Sequence, residues 1–113
     1  MPEIITQLND SFSALSDPTR RFVIETLARG PATVSALHAP HVMALPTFMR
    51  HLRVLETCGL LRSEKIGRVR TCFIEPASLL KVQGWMEWQR IVIEKHLNTQ
   101  NELMMPFDYI PTS

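Results

Sequence analysis

The 113-residue sequence has few cysteines, few glycines and no long apolar run. Its two cysteines, Cys58 and Cys72, are too few for a disulfide framework and do not form a C-x-x-C pair. The four glycines form no phosphate-binding loop, and no nucleophile motif is present. No apolar run approaches the ~18–20 residues that span a bilayer, and the N-terminus lacks the pattern of a secretory signal. These absences predict a cytoplasmic protein that is neither an enzyme nor a membrane protein.

Charge is distributed unevenly along the chain, although the total is only +1. Residues 44–70 carry six cations and two carboxylates, a net charge of +4, whereas the segments before and after carry −1 and −2. A local basic patch of this kind is what a polyanion selects. Judged from charge alone, a solvated surface without a partner explains the same pattern equally well.

Hydrophobic periodicity predicts one domain over residues 1–113, with about five helices and two strands. The residues around Gly67-Arg68 alternate as expected for a β-hairpin, and residues 104–113 are expected to be irregular. This order of elements predicts a mainly α fold with a small β-hairpin wing, the winged helix-turn-helix. The first predicted helix covers about 3–15, and the second starts at Pro18 with Asp17 as its cap. A short third helix is capped by Thr33, the fourth covers about 45–58 and ends at Gly59, and the last covers about 77–102.

The fourth predicted helix has an apolar side and a side that suits the DNA major groove. Leu45, Phe48, Leu52 and Leu55 fall on the apolar side and are expected in the core. Arg50 points almost opposite to them and is expected to pair with a guanine edge. Met49 is expected at a thymine methyl group and Arg53 at a phosphate. The DNA contacts predicted on this helix are Pro46, Thr47, Met49, Arg50, His51 and Arg53.

The tip of the predicted hairpin is the six-residue segment 65–70, which carries three cations, Lys65, Arg68 and Arg70. Gly67 permits the turn and leaves Arg68 at the end of the wing, where we expect it to enter the adjacent minor groove. Basic hairpin tips are common. The position of this one directly after a candidate recognition helix favours DNA binding over an ordinary surface.

Residues 12–74 resemble the ArsR-type winged-helix repressors, the arsenic- and metal-responsive family of bacteria. The resemblance lies in three blocks and in their spacing: residues 12–21 with the Asp17-Pro18-Thr19-Arg20 run, residues 50–56 with Arg50-His51-Leu52, and residues 59–61 with 67–69. It implies a homodimer whose two recognition helices meet half-sites about one DNA turn apart. It also implies a repressor that acts at its own promoter region, with an activator left open.

The same resemblance implies that the dimer is built from the first and last helices, over 3–15 and 77–102. Both helices are amphipathic in the sequence, and both flank the unit predicted to read DNA. The long helix carries more apolar surface than one small domain readily covers. The residues predicted at the dimer interface are Ile4, Leu8, Trp85, Trp88 and Val92.

The sequence departs from the family at its metal-sensing sites. Thr33-Val34-Ser35 stands where the arsenic and cadmium sensors carry a Cys-x-Cys element, and His96 has no second histidine on the last helix. We therefore predict a metal-free branch with no cofactor and no metal site, in which His38 and His41 are loop histidines. A small-molecule effector of unknown identity is left open.

Two other functions compete with DNA-dependent regulation by this chain. One is a winged-helix module that binds a protein and no longer binds DNA. The other is a thiol-based redox sensor that uses Cys58 and Cys72, although their positions at a helix end and inside a strand favour small buried hydrophobes. Affinity for duplex DNA that falls steeply with salt distinguishes a DNA regulator from a protein-binding module.

Overall fold

The structure is a computed structural model that describes residues 2–100 and the side chains of residues 5–98. The chain divides into two compact units with the boundary between Val82 and Gln83. The irregular segment predicted over 104–113 lies outside the described residues, as does the side chain of Ile4.

Five helices and a small antiparallel sheet form the described part of the chain, which confirms the mainly α winged helix-turn-helix fold. The element bounds lie within a few residues of those predicted from periodicity. In chain order the elements are α1 (Pro2–Ala14), α2 (Pro18–Leu27), β1 (Ala32–Thr33), α3 (Val34–His38), α4 (Leu45–Thr57), β2 (Leu61–Ile66), β3 (Val69–Ile74) and α5 (Pro76–Gln100).

The helix boundaries follow local capping chemistry. The Asp17 carboxylate accepts a hydrogen bond of 3.0 Å from the Arg20 amide at the start of α2, where Pro18 occupies the first turn. The Thr33 hydroxyl caps α3 by accepting from the Ala36 amide at 3.1 Å. Helix α4 ends before Gly59, which takes a positive φ of 79° that a residue with a Cβ rarely adopts.

The sheet has three strands in the order β1-β3-β2, whereas the sequence predicted two. Strands β2 and β3 form the predicted hairpin, closed by the pair Ile66 and Val69 around Gly67. Strand β1 has only two residues, Ala32 and Thr33, which pair with β3. Because two residues are too few to show an alternating pattern, this strand depends on its partner and was missed.

The core of the first unit lies between the helices and the inner face of the sheet. Phe48, Leu52 and Leu55 of α4 are buried there, as predicted. The prediction for Leu45 was wrong: its side chain is 47% exposed because it begins α4, one turn before the part of the helix that packs on the core. The cluster consists of Ala14, Val23, Ile24, Leu27, Leu37, Phe48, Leu52, Leu55, Leu60, Leu61 and Cys72.

Helix α5 is long and carries apolar side chains around much of its circumference. Arg90 pairs with Glu87 and Glu94, one helical turn to either side, and these pairs are exposed to solvent. No helix among residues 2–100 is long and apolar enough to cross a membrane.

Candidate nucleic-acid interface

The outward face of α4 presents two arginines that have no carboxylate partner among the described residues. Arg50 and Arg53 are both exposed, and the guanidinium of Arg50 lies 3.5 Å from the Thr47 hydroxyl, one turn earlier in the helix. Pro46 is exposed beside them at the start of the helix. This face therefore offers cations with unsatisfied donors, which suit phosphate or base-edge acceptors.

The other three residues predicted on this helix are half-buried. Met49 packs against the hydrophobic core, and Thr47 is partly covered at the start of the helix. His51 points towards the start of α2, where its Nδ1 lies 3.0 Å from the Arg20 guanidinium. The structure thus separates the predicted set into two groups. Pro46, Arg50 and Arg53 are exposed, whereas Thr47, Met49 and His51 form a half-buried flank of α4 that we call its shoulder.

Arg20 joins three parts of the fold, and the sequence did not single it out as a functional residue. Its Nε donates to the Ala14 carbonyl at 2.7 Å, and its terminal nitrogens reach the Ser13 carbonyl at 3.3 Å and His51 Nδ1. The Asp17 carboxylate lies 3.7 Å from the same ring nitrogen. The Asp-Pro-Thr-Arg run read in the sequence as a helix start was the only signal for this cluster.

The cations of the β2–β3 hairpin differ in their partners. Lys65 and Arg68 are exposed and have no ion pair within the described chain, and Arg70 donates to the Ser63 hydroxyl at 2.9 Å. Arg62 is different, because it pairs with Glu64 and with Glu75 and lies over the ring of Phe73. Its charge is largely compensated, so the basic surface of the wing lies at the tip and along β3.

A cavity of about 240 Å³ separates α4 from the sheet. Arg53 of α4 and Arg70 of β3 both line it, together with the carboxylate of Glu56. Arginines from α4 and from β3 therefore line one recess, although Glu56 compensates part of their charge there. A wider groove of about 470 Å³ runs between α1 and α4, with Arg50 and Arg53 among its lining residues.

Both cysteines are free thiols, of which Cys58 is half-buried and Cys72 is buried. Burial raises the pKa of Cys58, and burial together with the nearby Glu56 carboxylate raises the pKa of Cys72. Both remain thiols at neutral pH, a state that is less reactive than a thiolate. They also line different cavities.

His38 is the last residue of α3 and His41 lies in the turn before α4, and both rings lie against Phe48. The prediction of a loop histidine was therefore wrong for His38, because the short helix continues through this residue. His38 Nε2 lies 2.8 Å from the Met43 carbonyl. The ring of His41 stacks on Phe48 and meets Phe22 edge-on, and its Nε2 is buried without a hydrogen-bond partner. No group of three or more metal-ligating side chains occurs among the residues that the structure describes.

The residues predicted at a dimer interface include several exposed apolar side chains. Trp85, Trp88 and Val92 on α5 are all more than 40% exposed, whereas Leu8 on α1 is half-buried. Phe12 on α1 is exposed as well. These side chains leave apolar surface in contact with water, which is typical of an interaction surface.

Two helices joined by a short turn, the second with exposed arginines and followed by a basic β-hairpin, define a winged helix-turn-helix protein. Proteins of this class place the second helix in the DNA major groove. Known proteins of similar sequence and structure identify the family more closely.

Residues 15–64 match the helix-turn-helix domain family. The HTH-type transcriptional regulator Rv2034 of Mycobacterium tuberculosis is 35% identical over 82 residues, covering 71% of this chain and 77% of that protein. The transcriptional repressor SdpR of Bacillus subtilis is 25% identical over 79 residues, covering 70% of this chain and 88% of that protein. The crystal structure of the ArsR family transcriptional regulator RHA00566 superposes with a TM-score of 0.77 at 51% identity, covering 83% of this chain and 94% of that one. The chain belongs to the ArsR family of transcriptional regulators, as its sequence blocks predicted.

Proposed function

We propose that this ArsR-family protein is a homodimeric repressor that binds a specific duplex DNA sequence. In this proposal α4 enters the major groove and the wing, residues 65–70, contacts the minor groove or the backbone. The observation that carries it is the set of exposed cations on these two elements, Arg50, Arg53, Lys65 and Arg68, which lack carboxylate partners among the described residues. Unpaired cations of this kind bind phosphates and release the counterions that condense on DNA.

We assign different tasks to the exposed arginines. Arg50 is exposed on the face of α4 opposite its buried side chains, and we assign it to a guanine edge. Arg53 and Arg70 converge on one recess between α4 and the wing, and we assign both to backbone phosphate. Arg68 follows Gly67 at the turn of the hairpin and is assigned to the minor groove.

Repression is supported by the similarity to the transcriptional repressor SdpR. A protein bound across a promoter competes with the transcription machinery for the same DNA, so no catalytic chemistry is needed. The two relatives come from bacteria, whose DNA lies in the cytoplasm, and this is the compartment in which we place the protein. A small molecule or a protein partner is proposed as the signal, since the raised pKa of both cysteines keeps them as thiols, which react more slowly than thiolates.

Binding to DNA fragments tests the proposal directly. Genomic fragments retained by the purified protein are sequenced to obtain the operator, and affinity for it is then measured by fluorescence anisotropy at rising salt. We expect the logarithm of the association constant to fall linearly with the logarithm of salt concentration. A scrambled duplex of the same length should bind more weakly. No affinity for either duplex would favour a protein-binding module, and equal affinity for both would contradict binding to a specific sequence.

Replacing Arg50 by alanine tests the assignment of sequence reading. The Arg50→Ala variant should lose roughly 1–3 kcal/mol of affinity for the operator, and less for the scrambled duplex, because a base contact is specific to sequence. Arg29→Ala is the matched control, since it removes one exposed positive charge at the end of α2, outside the proposed interface. Equal losses in the two variants would contradict the assignment of Arg50.

A further inference from the structure

The side chain of Arg20 connects the end of α1 to the recognition helix. Two of its nitrogens donate to the carbonyls of Ala14 and Ser13, at 2.7 and 3.3 Å. A third reaches Nδ1 of His51 at 3.0 Å. Arg20 lies in the first turn of α2, where its own backbone amide is held by Asp17, so its position is fixed from both ends.

This contact determines which nitrogen of His51 carries the hydrogen. A guanidinium group only donates hydrogen bonds, so Nδ1 must be the acceptor and the ring hydrogen must be on Nε2. The Asp17 carboxylate also faces Nδ1, at 3.7 Å, but Arg20 lies closer and its N–H excludes a hydrogen at that position. Arg20 and Asp17 are the charged groups that the structure places against this ring.

The second ring nitrogen of His51 is available to a ligand. No hydrogen bond to Nε2 occurs among the described residues, and this atom is not one of the buried polar atoms that lack a partner. It is therefore open to solvent on the shoulder of α4. Because His51 is half-buried and Arg50 is exposed, an N–H group on His51 suits a backbone phosphate better than a base edge at the floor of a groove.

We propose that Arg20 is a positioning residue for DNA binding, which holds His51 so that its Nε2–H donates to a backbone phosphate. The same side chain ties the recognition helix to the end of α1. This inference rests on the proposed function, because it assigns one phosphate contact within that interface. It gives Arg20 a role in binding although Arg20 itself does not touch the DNA.

The tautomer of His51 can be measured without DNA. In protein labelled with ¹⁵N in the histidine rings, long-range ¹H–¹⁵N spectra distinguish a hydrogen on Nδ1 from one on Nε2. We expect the Nε2–H form for His51 in the parent chain, and a mixture of the two forms in Arg20→Gln. Arg21→Gln is the matched control, because Arg21 donates to the Leu15 carbonyl in the same way and makes no contact with His51. An Nδ1–H form in the parent chain, or an unchanged signal in Arg20→Gln, would overturn the proposal.

Operator affinity then shows whether Arg20 acts through His51. Arg20→Gln should weaken binding about tenfold, the loss expected for one hydrogen bond to a charged group. In a His51→Ala background the same change should have no further effect. His51→Gln, which retains a donor near the Nε2 position, should bind more tightly than His51→Asn, which retains only the inner position. If Arg20→Gln unfolds below the assay temperature, Arg20→Lys replaces it in the same double-mutant cycle with His51→Ala.

The inference would be overturned if the losses of affinity in Arg20→Gln and His51→Ala added up in the double variant. Equal binding by His51→Gln and His51→Asn would overturn it as well. The proposed function has a separate test, since it predicts that Arg50→Ala loses operator affinity whatever happens at His51. A chain that responds to Arg50→Ala but shows no coupling between Arg20 and His51 would refute the positioning role alone. A chain that binds no duplex at all would refute the proposed function.

Discussion

The carboxylate of Asp17 shows how one residue combines a local and a tertiary task. It caps α2 by accepting from the Arg20 amide, and it faces the imidazole of His51 from α4. Partial burial raises the pKa of Asp17. The hydrogen bond from the Arg20 amide and the neighbouring positive charges lower it by a larger amount, so the pKa lies below its ordinary value. A folded-state pKa below the unfolded one means that the ionised carboxylate stabilises the fold.

Replacing Asp17 gives a pH-dependent prediction. Asp17→Ala should lower the free energy of unfolding by about 1 kcal/mol at pH 7, as for the loss of a helix cap. Asp17→Asn keeps a capping oxygen but has no charge, so its difference from the parent chain isolates the charge. Because the folded pKa is depressed, this difference should be complete above the unfolded value of about 4 and should vanish as the pH falls through the folded value.

Urea unfolding of the parent chain and of Asp17→Asn between pH 7 and pH 3 measures this difference. A gap between the two chains that stays constant to pH 3 would show that the charge of Asp17 contributes nothing. Asp10 offers a control carboxylate, because it lies exposed on α1.

At the scale of elements, the end of α4 determines how the recognition helix joins the wing. Gly59 turns the chain with a φ of 79° and leads into Leu60 and Leu61, which are buried. The Ser78 hydroxyl from α5 donates to the Cys58 carbonyl at 3.0 Å and so satisfies one of the last carbonyls of the helix. A Cβ on Gly59 would lie 2.8 Å from that hydroxyl oxygen.

Alanine at Gly59 should therefore cost more stability than alanine at Gly67. Both glycines have a positive φ, but a Cβ on Gly67 would meet nothing within 4 Å. Gly67→Ala thus reports backbone strain alone, about 1–2 kcal/mol, whereas Gly59→Ala adds the contact with Ser78. Thermal and urea unfolding of the two variants measures the difference. Equal losses would mean that Ser78 moves away without cost.

At the scale of the whole molecule, exposed apolar surface leads us to predict a dimer. Trp88 is 60% exposed, and Trp85, Ile91 and Val92 are exposed on the same helix. Sedimentation equilibrium at micromolar concentration should give twice the 12.9 kDa mass of the chain. Trp88→Glu should dissociate the dimer and weaken operator binding, because a carboxylate is costly to bury in an apolar interface.

Lys95→Ala, an exposed change on the same helix, serves as the control and should leave the mass unchanged. A parent chain that sediments as a monomer at these concentrations would contradict the dimer. So would a Trp88→Glu variant that retains the mass and operator affinity of the parent.

The whole molecule is also expected to bind its operator without a metal. The sequence lacks the thiolates of the metal sensors. In the structure His38 Nε2 contacts a backbone carbonyl, and His41 Nε2 is buried in a ring that packs on two phenylalanines. Operator affinity should therefore be the same after exhaustive chelation and after addition of zinc, cadmium or arsenite. A tenfold change on adding any of them, about 1.4 kcal/mol, would contradict this expectation.

Features encoded over a few neighbouring residues could be predicted from the sequence. Asp17 and Thr33 cap their helices, Gly59 ends α4 and Gly67 turns the hairpin, as expected. Each of these signals acts within one turn of chain, where backbone geometry and hydrogen bonding are decided locally. The family was predictable for the same reason, because its motifs are short runs at fixed spacing.

Contacts between distant segments were decided only by the tertiary structure. Strand β1 exists because β3 pairs with it, and Leu45 is exposed because the core does not extend to the first residue of α4. Arg62 is one of the six cations in residues 44–70, and the fold brings Glu75, thirteen positions along the chain, within 3.2 Å of it.

The link between Arg20 and His51 belongs to the same group, since 31 positions separate the two residues. The sequence by itself determined the elements, their caps and the family, because those depend on neighbouring residues. Only the tertiary structure decided which cations remain unpaired and which way His51 presents its hydrogen, because both depend on side chains that the fold brings together from separate elements.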